Sequence, residues 1–262
     1  MSVKVSKRDD RSLPGHVAVQ FHPDWPFRHE GMVIQAIARD GIYRSQFETK
    51  ISNGGLTAFP GGDRWHWESR LFAGRYDLAH PSERPIYGAL DRGRYAQGPA
   101  VRFGSAFLRL RQDVTSRSTF CFPDSAFAPV SVAGPETLPE LQALACAAEH
   151  DDLDDYIEAH VHGGLRLDRD VESIVLDPCF RGTPVEHEAL ETGCPVEWHP
   201  GLRVSTAHLD PAYRGAEFVD LARSLGEELT PAVIGSAARS GLHDLQSLKR
   251  VWHLLARFGR LT

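Results

Sequence analysis

No apolar run in this chain approaches the roughly 18 residues needed to cross a bilayer, so no membrane-spanning helix is expected. The first residues also lack the apolar stretch of a secretory signal, because Lys4, Lys7, Arg8, Asp9, Asp10 and Arg11 crowd them with charge. Residues 1–14 read instead as a flexible tail. Cysteine is scarce. Cys121, Cys146, Cys179 and Cys194 stand far apart and form no CxxC pair, which favours reduced thiols over a disulfide framework. Positive charge is not in excess either. With 29 Lys and Arg against 35 Asp and Glu, the net charge is -6, and such a chain has no general drive toward nucleic acid or anionic membrane. The expected address is cytoplasmic, or the interior of another cell reached as an effector by an export route without a classical signal.

What the chain does contain is enough to fold. Apolar residues make up 42% of it, which supports an ordinary core and argues against global disorder. Its 262 residues fit one large domain or two small ones. Apolar residues alternate over 16–21, and the spacing of Met32, Val33, Ala36 and Ile37 predicts a helix ending at Gly41. From Tyr43 to about Gly98, glycines and aromatics interleave without clear periodicity. That stretch reads as an ordered, irregular region, and long loops of this kind are usually functional. Strands are predicted over 102–110, 118–122, 156–162 and 171–177, and a helix over 136–149. After Gly201 the spacing turns helical, over 217–225, 231–239 and 245–258. The expectation is one α+β domain over 15–262 with 217–258 as a helical segment.

Four groups of residues could carry chemistry. On a strand over 156–162, side chains alternate faces, so Glu158, His160 and His162 share one side and Ile157, Ala159 and Val161 the other. Three ionisable groups on one face of an apolar-backed strand suggest a site, although antiparallel sheets often have one solvated face. His22, fixed by Pro23 just past the first strand, is placed to hold a ligand. Arg44, next to Tyr43 and just past the helix cap at Gly41, can fork onto a carboxylate or phosphate. Ser52, Asn53, Gly54 and Gly55 offer the makings of an anion-binding nest, but without the strand-to-helix setting of a P-loop or Rossmann turn. Arg102, Arg117 and Asp124 flank two strands and could line one wall of a cleft, or Arg117 and Asp124 could simply pair.

The blocks YRSQFET (43–49), SNGG (52–55), YGAL (87–90), RFGS (102–105), TFCFPDS (119–125) and EAHVHG (158–163) resemble a bacterial family of unknown function, from about Val17 to Gly259. The chain also resembles ADP-ribosyltransferases of the DNA-modifying toxin type in the order of its parts. These are a His-bearing strand ending at His22, a helix ending in Gly41, a strand, the Pro123-Asp124-Ser125 turn, and a strand opening on Glu158 followed by another. The likeness departs at His160 and His162, where apolar residues are more usual, and over 43–98, which has no simple counterpart.

This resemblance implies an ADP-ribosyltransferase-like core and a toxin or effector that takes NAD as substrate. Glu158 and Arg44 would be catalytic. His22, Tyr43, Ser52, Asn53, Gly54, Arg102, Asp124 and His160 would hold the dinucleotide. The implied partners are NAD and an acceptor, whether protein, nucleic acid, small molecule or water. Cleaving the nicotinamide–ribose bond develops positive charge on the ribose, and one carboxylate aimed there stabilises it. Two other readings stay open on the residues alone. Glu158, His160 and His162, with His22 and Asp24, could hold zinc or iron in a hydrolase. The aromatic, Gly-rich region could instead be the docking surface of a binding protein.

Overall fold

The computed structural model of the chain describes residues 15–261 except His29, 51–56, Ala128, Val130 and Ser131. The tail predicted over 1–14, and Ser52, Asn53 and Gly54 of the predicted nest, lie outside the described residues. The fold mixes α and β around one large mixed sheet. Its elements are β1 (Val17–Phe21), α1 (Val33–Asp40), β2 (Ile42–Tyr43), α2 (Gln46–Thr49), α3 (Asp63–Leu71), β3 (Ile86–Leu90), β4 (Ala106–Leu110), β5 (Ser118–Cys121) and α4 (Leu138–Ala147), followed by β6 (Glu158–Val161), β7 (Leu165–Arg166), α5 (Leu167–Asp170), β8 (Val171–Leu176), α6 (Pro184–Glu191), β9 (Val196–Trp198), β10 (Val204–Ser205), α7 (Ala216–Leu225), β11 (Glu228–Leu229), α8 (Pro231–Ser240) and α9 (Leu245–Phe258).

The sheet runs β5-β6-β3-β1-β4-β8-β9, with β8 and β9 parallel and every other neighbour antiparallel. One face is apolar. Val17, Val19 and Phe21 of β1, Leu108 and Leu110 of β4, and Ala159 and Val161 of β6 enter a core closed by Ile34 and Ile37 of α1 and by Val185 and Ala189 of α6. Such burial contributes about 25 cal/mol per Å² of apolar surface removed from water. The opposite face carries Gln20, Tyr87, Cys121, Glu158 and His160, buried or half-buried. The alternation expected for Glu158 and its neighbours is thus present.

The sheet also splits. β1 pairs with β3 only through Val17–Leu90 and Ala18–Ala89. Beyond that point β1 stays paired with β4 as far as Phe21–Ala106, and β3 stays paired with β6 as far as Ile86–Val161. The C-terminal end of β1 and the N-terminal end of β3 therefore part company.

Most predicted elements fall within a few residues of the observed ones. The helix at 33–40 ends as expected at Gly41, whose left-handed φ of 65° a residue with a Cβ adopts poorly. The helical segment is also present, with the two-residue strand β11 between α7 and α8. It gathers a second apolar cluster around Val219, Ile234, Leu248 and Trp252, which also takes in Trp25, Val101 and Leu153. The stretch 43–98 differs from the irregular region expected. It holds α2, α3 and β3. Helix α3 is hard to read because Arg64 and Glu68 occupy its buried face with Leu71, so the usual apolar stripe is broken by charge. The strand predicted over 102–110 begins only at Ala106, since Val101–Phe103 forms a 3-10 turn. Helix α6 and strand β9 were not anticipated.

Candidate active site

Where β1 and β3 separate, a cleft of about 260 Å³ opens, near the lower end of the roughly 300–1,000 Å³ common for small-molecule sites. Gln20, Phe21 and His22 form one lip and Ile86, Tyr87 and Gly88 the other, with Tyr156 and Glu158 also in the lining. Helix α1, the Tyr43–Gln46 segment and Arg64 of α3 contribute further walls. Leu245, Gln246 and Lys249 of α9 close another side. Trp25, Phe27, Tyr43, Tyr87 and Phe103 supply aromatic surface.

Glu158 is buried, and its carboxylate is surrounded by donors. Oε1 accepts from His160 Nε2 at 2.9 Å and from the Ser125 backbone N–H at 3.2 Å, and Oε2 accepts from Ser125 Oγ at 3.2 Å. Burial alone would push the carboxyl upward. The hydrogen bond and charge of His160, the charge of Arg64 and the Ser125 bond outweigh it and hold Glu158 below its ordinary range. It is therefore an ionised carboxylate at neutral pH in the wall of the cleft.

Behind it runs a polarised chain of hydrogen bonds. His160 Nε2 donates to Glu158, and its Nδ1 meets Thr119 Oγ1 at 3.2 Å. Thr119 Oγ1 in turn accepts from His162 Nε2 at 2.9 Å, and His162 Nδ1 accepts from Tyr76 at 2.6 Å. Burial, reinforced by the charges of His160, Arg75 and Arg117, lowers His162 to about 4, so it is neutral as this arrangement requires. His160 thus holds the carboxylate directly, and His162 holds Thr119 behind it.

His22 lines the cleft, stacked on Trp25 at 4.3 Å and meeting the edge of Trp252 at 4.6 Å. Burial and the charge of Lys249 lower it to about 3, so it is neutral. Tyr43 and Arg44 also line the cleft. Burial raises the Tyr43 hydroxyl. Arg44 is occupied: Nη2 binds Asp40 at 3.1 Å and Nη1 binds Glu48 at 3.2 Å.

Other predicted site residues stand elsewhere. Arg102 pairs with Asp154 and is not part of the cleft lining. Asp124 accepts from the Tyr156 hydroxyl and from the Ala126 N–H, and so braces the wall from behind. His160 likewise sits behind Glu158 and outside the lining. Arg117 binds the carbonyls of His162 and Gly164 and pairs with Asp170, not Asp124.

The metal trio of Glu158, His160 and His162 is not assembled. His162 turns to Tyr76 and Thr119, and Asp24 pairs with Arg239 at 2.9 Å. Among the described residues, the donors that do cluster within 4.8 Å are Cys121, Glu158 and His160. Their 2.9 Å Glu158–His160 contact is a hydrogen bond, shorter than the roughly 3.3 Å edge between ligands of a tetrahedral zinc ion. Burial also raises the Cys121 thiol, which disfavours the thiolate.

The residue that sequence reasoning missed is Arg64. Its guanidinium lies 4.2 Å from the Tyr87 ring and 5.2 Å from that of Trp67. The signal was present in the i, i+4 pair Arg64 and Glu68 beside Trp67 and Leu71, on a segment opened by Asp63.

The chain matches the family described as a protein of unknown function, DUF3626, over residues 16–145 and 140–258. It belongs to that family. No curated protein matches the chain. No helix among the described residues is long and apolar enough to cross a membrane.

Proposed function

We propose that the protein binds NAD in the split-sheet cleft and cleaves its nicotinamide–ribose bond, as an ADP-ribosyltransferase or NAD glycohydrolase. One observation carries this reading. His22, Arg44 and Glu158, drawn from three distant parts of the chain, line the same cleft. The C–N bond breaks with its electron pair leaving on nicotinamide, and the ribose carbon becomes positively charged. Glu158, ionised and held by His160 and Ser125, stabilises that charge as it develops. Water or an acceptor then adds to the carbon and loses a proton. His22, neutral and stacked on Trp25, serves as a hydrogen-bonding partner for a ribose hydroxyl, and the aromatic walls accept the planar rings. The test is NAD consumption by the purified protein and by Glu158→Gln. A folded wild-type protein that leaves NAD intact, with or without candidate acceptors, would sink the proposal.

A further inference from the structure

The cleft contains a cation that no carboxylate of the described residues touches. Arg64 is buried, and among the described residues its Nε and Nη1 have no hydrogen-bond partner. Among the described residues no carboxylate lies within ion-pair distance of it, and Glu158 and Glu68 act on it only through space. Glu68 is committed elsewhere, accepting from Arg84 at 2.6 Å and from the Tyr87 hydroxyl at 3.1 Å. The ring faces of Tyr87 and Trp67 hold the guanidinium in place, and the Tyr87 hydroxyl is its one side-chain hydrogen-bonding neighbour among the described residues, but neither ring supplies an anion. A buried guanidinium cannot shed its proton, and leaving its N–H groups unmet costs stability. Such an arrangement is stable at a site that an anion enters.

Arg44, the cation expected from the sequence to meet the dinucleotide phosphates, is poorly suited to that task. Asp40 and Glu48 already answer its charge, and a ligand would have to displace them. Arg64 needs no displacement. A second cation, Lys249, lines the same cleft from α9.

We propose that Arg64 is the anion receptor of the cleft and that the ligand it receives is a phosphate group of a nucleotide, the aromatic walls taking the rings. This rests on the NAD reading only for the identity of the nucleotide. The phosphate site is an independent property of the cleft. A guanidinium meets phosphate oxygens through two or more charge-assisted hydrogen bonds, so removing it should weaken phosphate binding on the order of a hundredfold.

The experiment is calorimetric titration of the full chain with inorganic pyrophosphate, AMP and adenosine. Wild type should bind pyrophosphate and bind AMP at least tenfold more tightly than adenosine. Arg64→Gln should lose about a hundredfold in pyrophosphate affinity. Arg64→Lys, which keeps the charge if the Gln variant fails to fold, should lose about tenfold, because an ammonium has no fork. Unchanged pyrophosphate affinity in whichever Arg64 variant folds, or no pyrophosphate binding by wild type, overturns the proposal. Pyrophosphate bound through Arg64 without NAD turnover would overturn the NAD reading alone. NAD turnover with an unchanged KM in Arg64→Gln would overturn the Arg64 assignment alone.

Discussion

Replacing Glu158 by Gln tests the proposed chemistry with little disturbance to the fold. Gln keeps the size of Glu and one acceptor oxygen. That oxygen can still receive His160 Nε2 and the Ser125 N–H, which now meet at Oε1. The new amide would face Ser125 Oγ, a hydroxyl that can turn from donor to acceptor. The fold should thus lose only the charge-assisted share of these bonds, about 1 kcal/mol. Catalysis should lose far more. At ~4 Å from the developing charge and an effective dielectric of ~20, a full negative charge contributes about 4 kcal/mol. Removal of one such preorganised group typically costs on the order of a hundred- to a thousandfold in rate. The assay is paired: NAD consumption and thermal unfolding on the same preparation, with NAD affinity measured by titration. A rate loss of that size with a nearly unchanged melting temperature supports a transition-state role. A stable Glu158→Gln protein with wild-type turnover would refute it. So would a rate that falls only in proportion to the fraction unfolded.

Arg44→Ala should raise the KM for NAD a few-fold and leave kcat close to wild type, because Arg44 lines the cleft but spends its donors on Asp40 and Glu48; a kcat loss matching that of Glu158→Gln would show that it acts on the transition state. Elemental analysis of the purified protein should find no stoichiometric zinc or iron, given the direct Glu158–His160 hydrogen bond; one ion per chain, lost in His160→Ala, would point to a metal centre at Cys121, Glu158 and His160. The fold should also be acid-sensitive. Burial and nearby cations lower His22 to about 3 and His253 to about 2, from an ordinary 6.5, so below pH 6.5 the unfolded chain binds protons that the folded one refuses. Stability from these groups is present above pH 6.5 and lost as the pH falls, by up to about 1.4 kcal/mol per unit for each. Burial raises Asp24 to about 6 against the pull of Arg239, and its proton offsets part of the loss between pH 6 and 4. Urea midpoints flat between pH 7.5 and 5, or unchanged in slope in His253→Gln, would contradict this.

The strands and helices with clean periodicity were legible in the sequence, and so was the face-sharing of Glu158, His160 and His162. Their different tasks were not. All three were candidates for touching a ligand or metal, whereas only Glu158 reaches the cleft, and His160 and His162 stand in line behind it. A strand pattern specifies which face a side chain joins, but the depth to which that face is covered comes from elements elsewhere, here β5 and the segment around Phe72 and Tyr76. The split between β1 and β3 was invisible for a similar reason. Pairing that stops after two residue pairs is a property of two strands together, and neither sequence announces it. Arg64 escaped because its helix buries charge where amphipathic reasoning looks for apolar residues.

One wall of the cleft comes from α9. Leu245, Gln246 and Lys249 of α9 line it, and Trp252 meets the edge of His22. During synthesis His22, just past β1, and Glu158 of β6 leave the ribosome well before α9 does. Until that helix docks, His22 has Trp25 beside it but not Trp252, and the cleft lacks one side. The nascent chain thus carries its carboxylate without a closed pocket around it until residues 245–258 have been made and have docked.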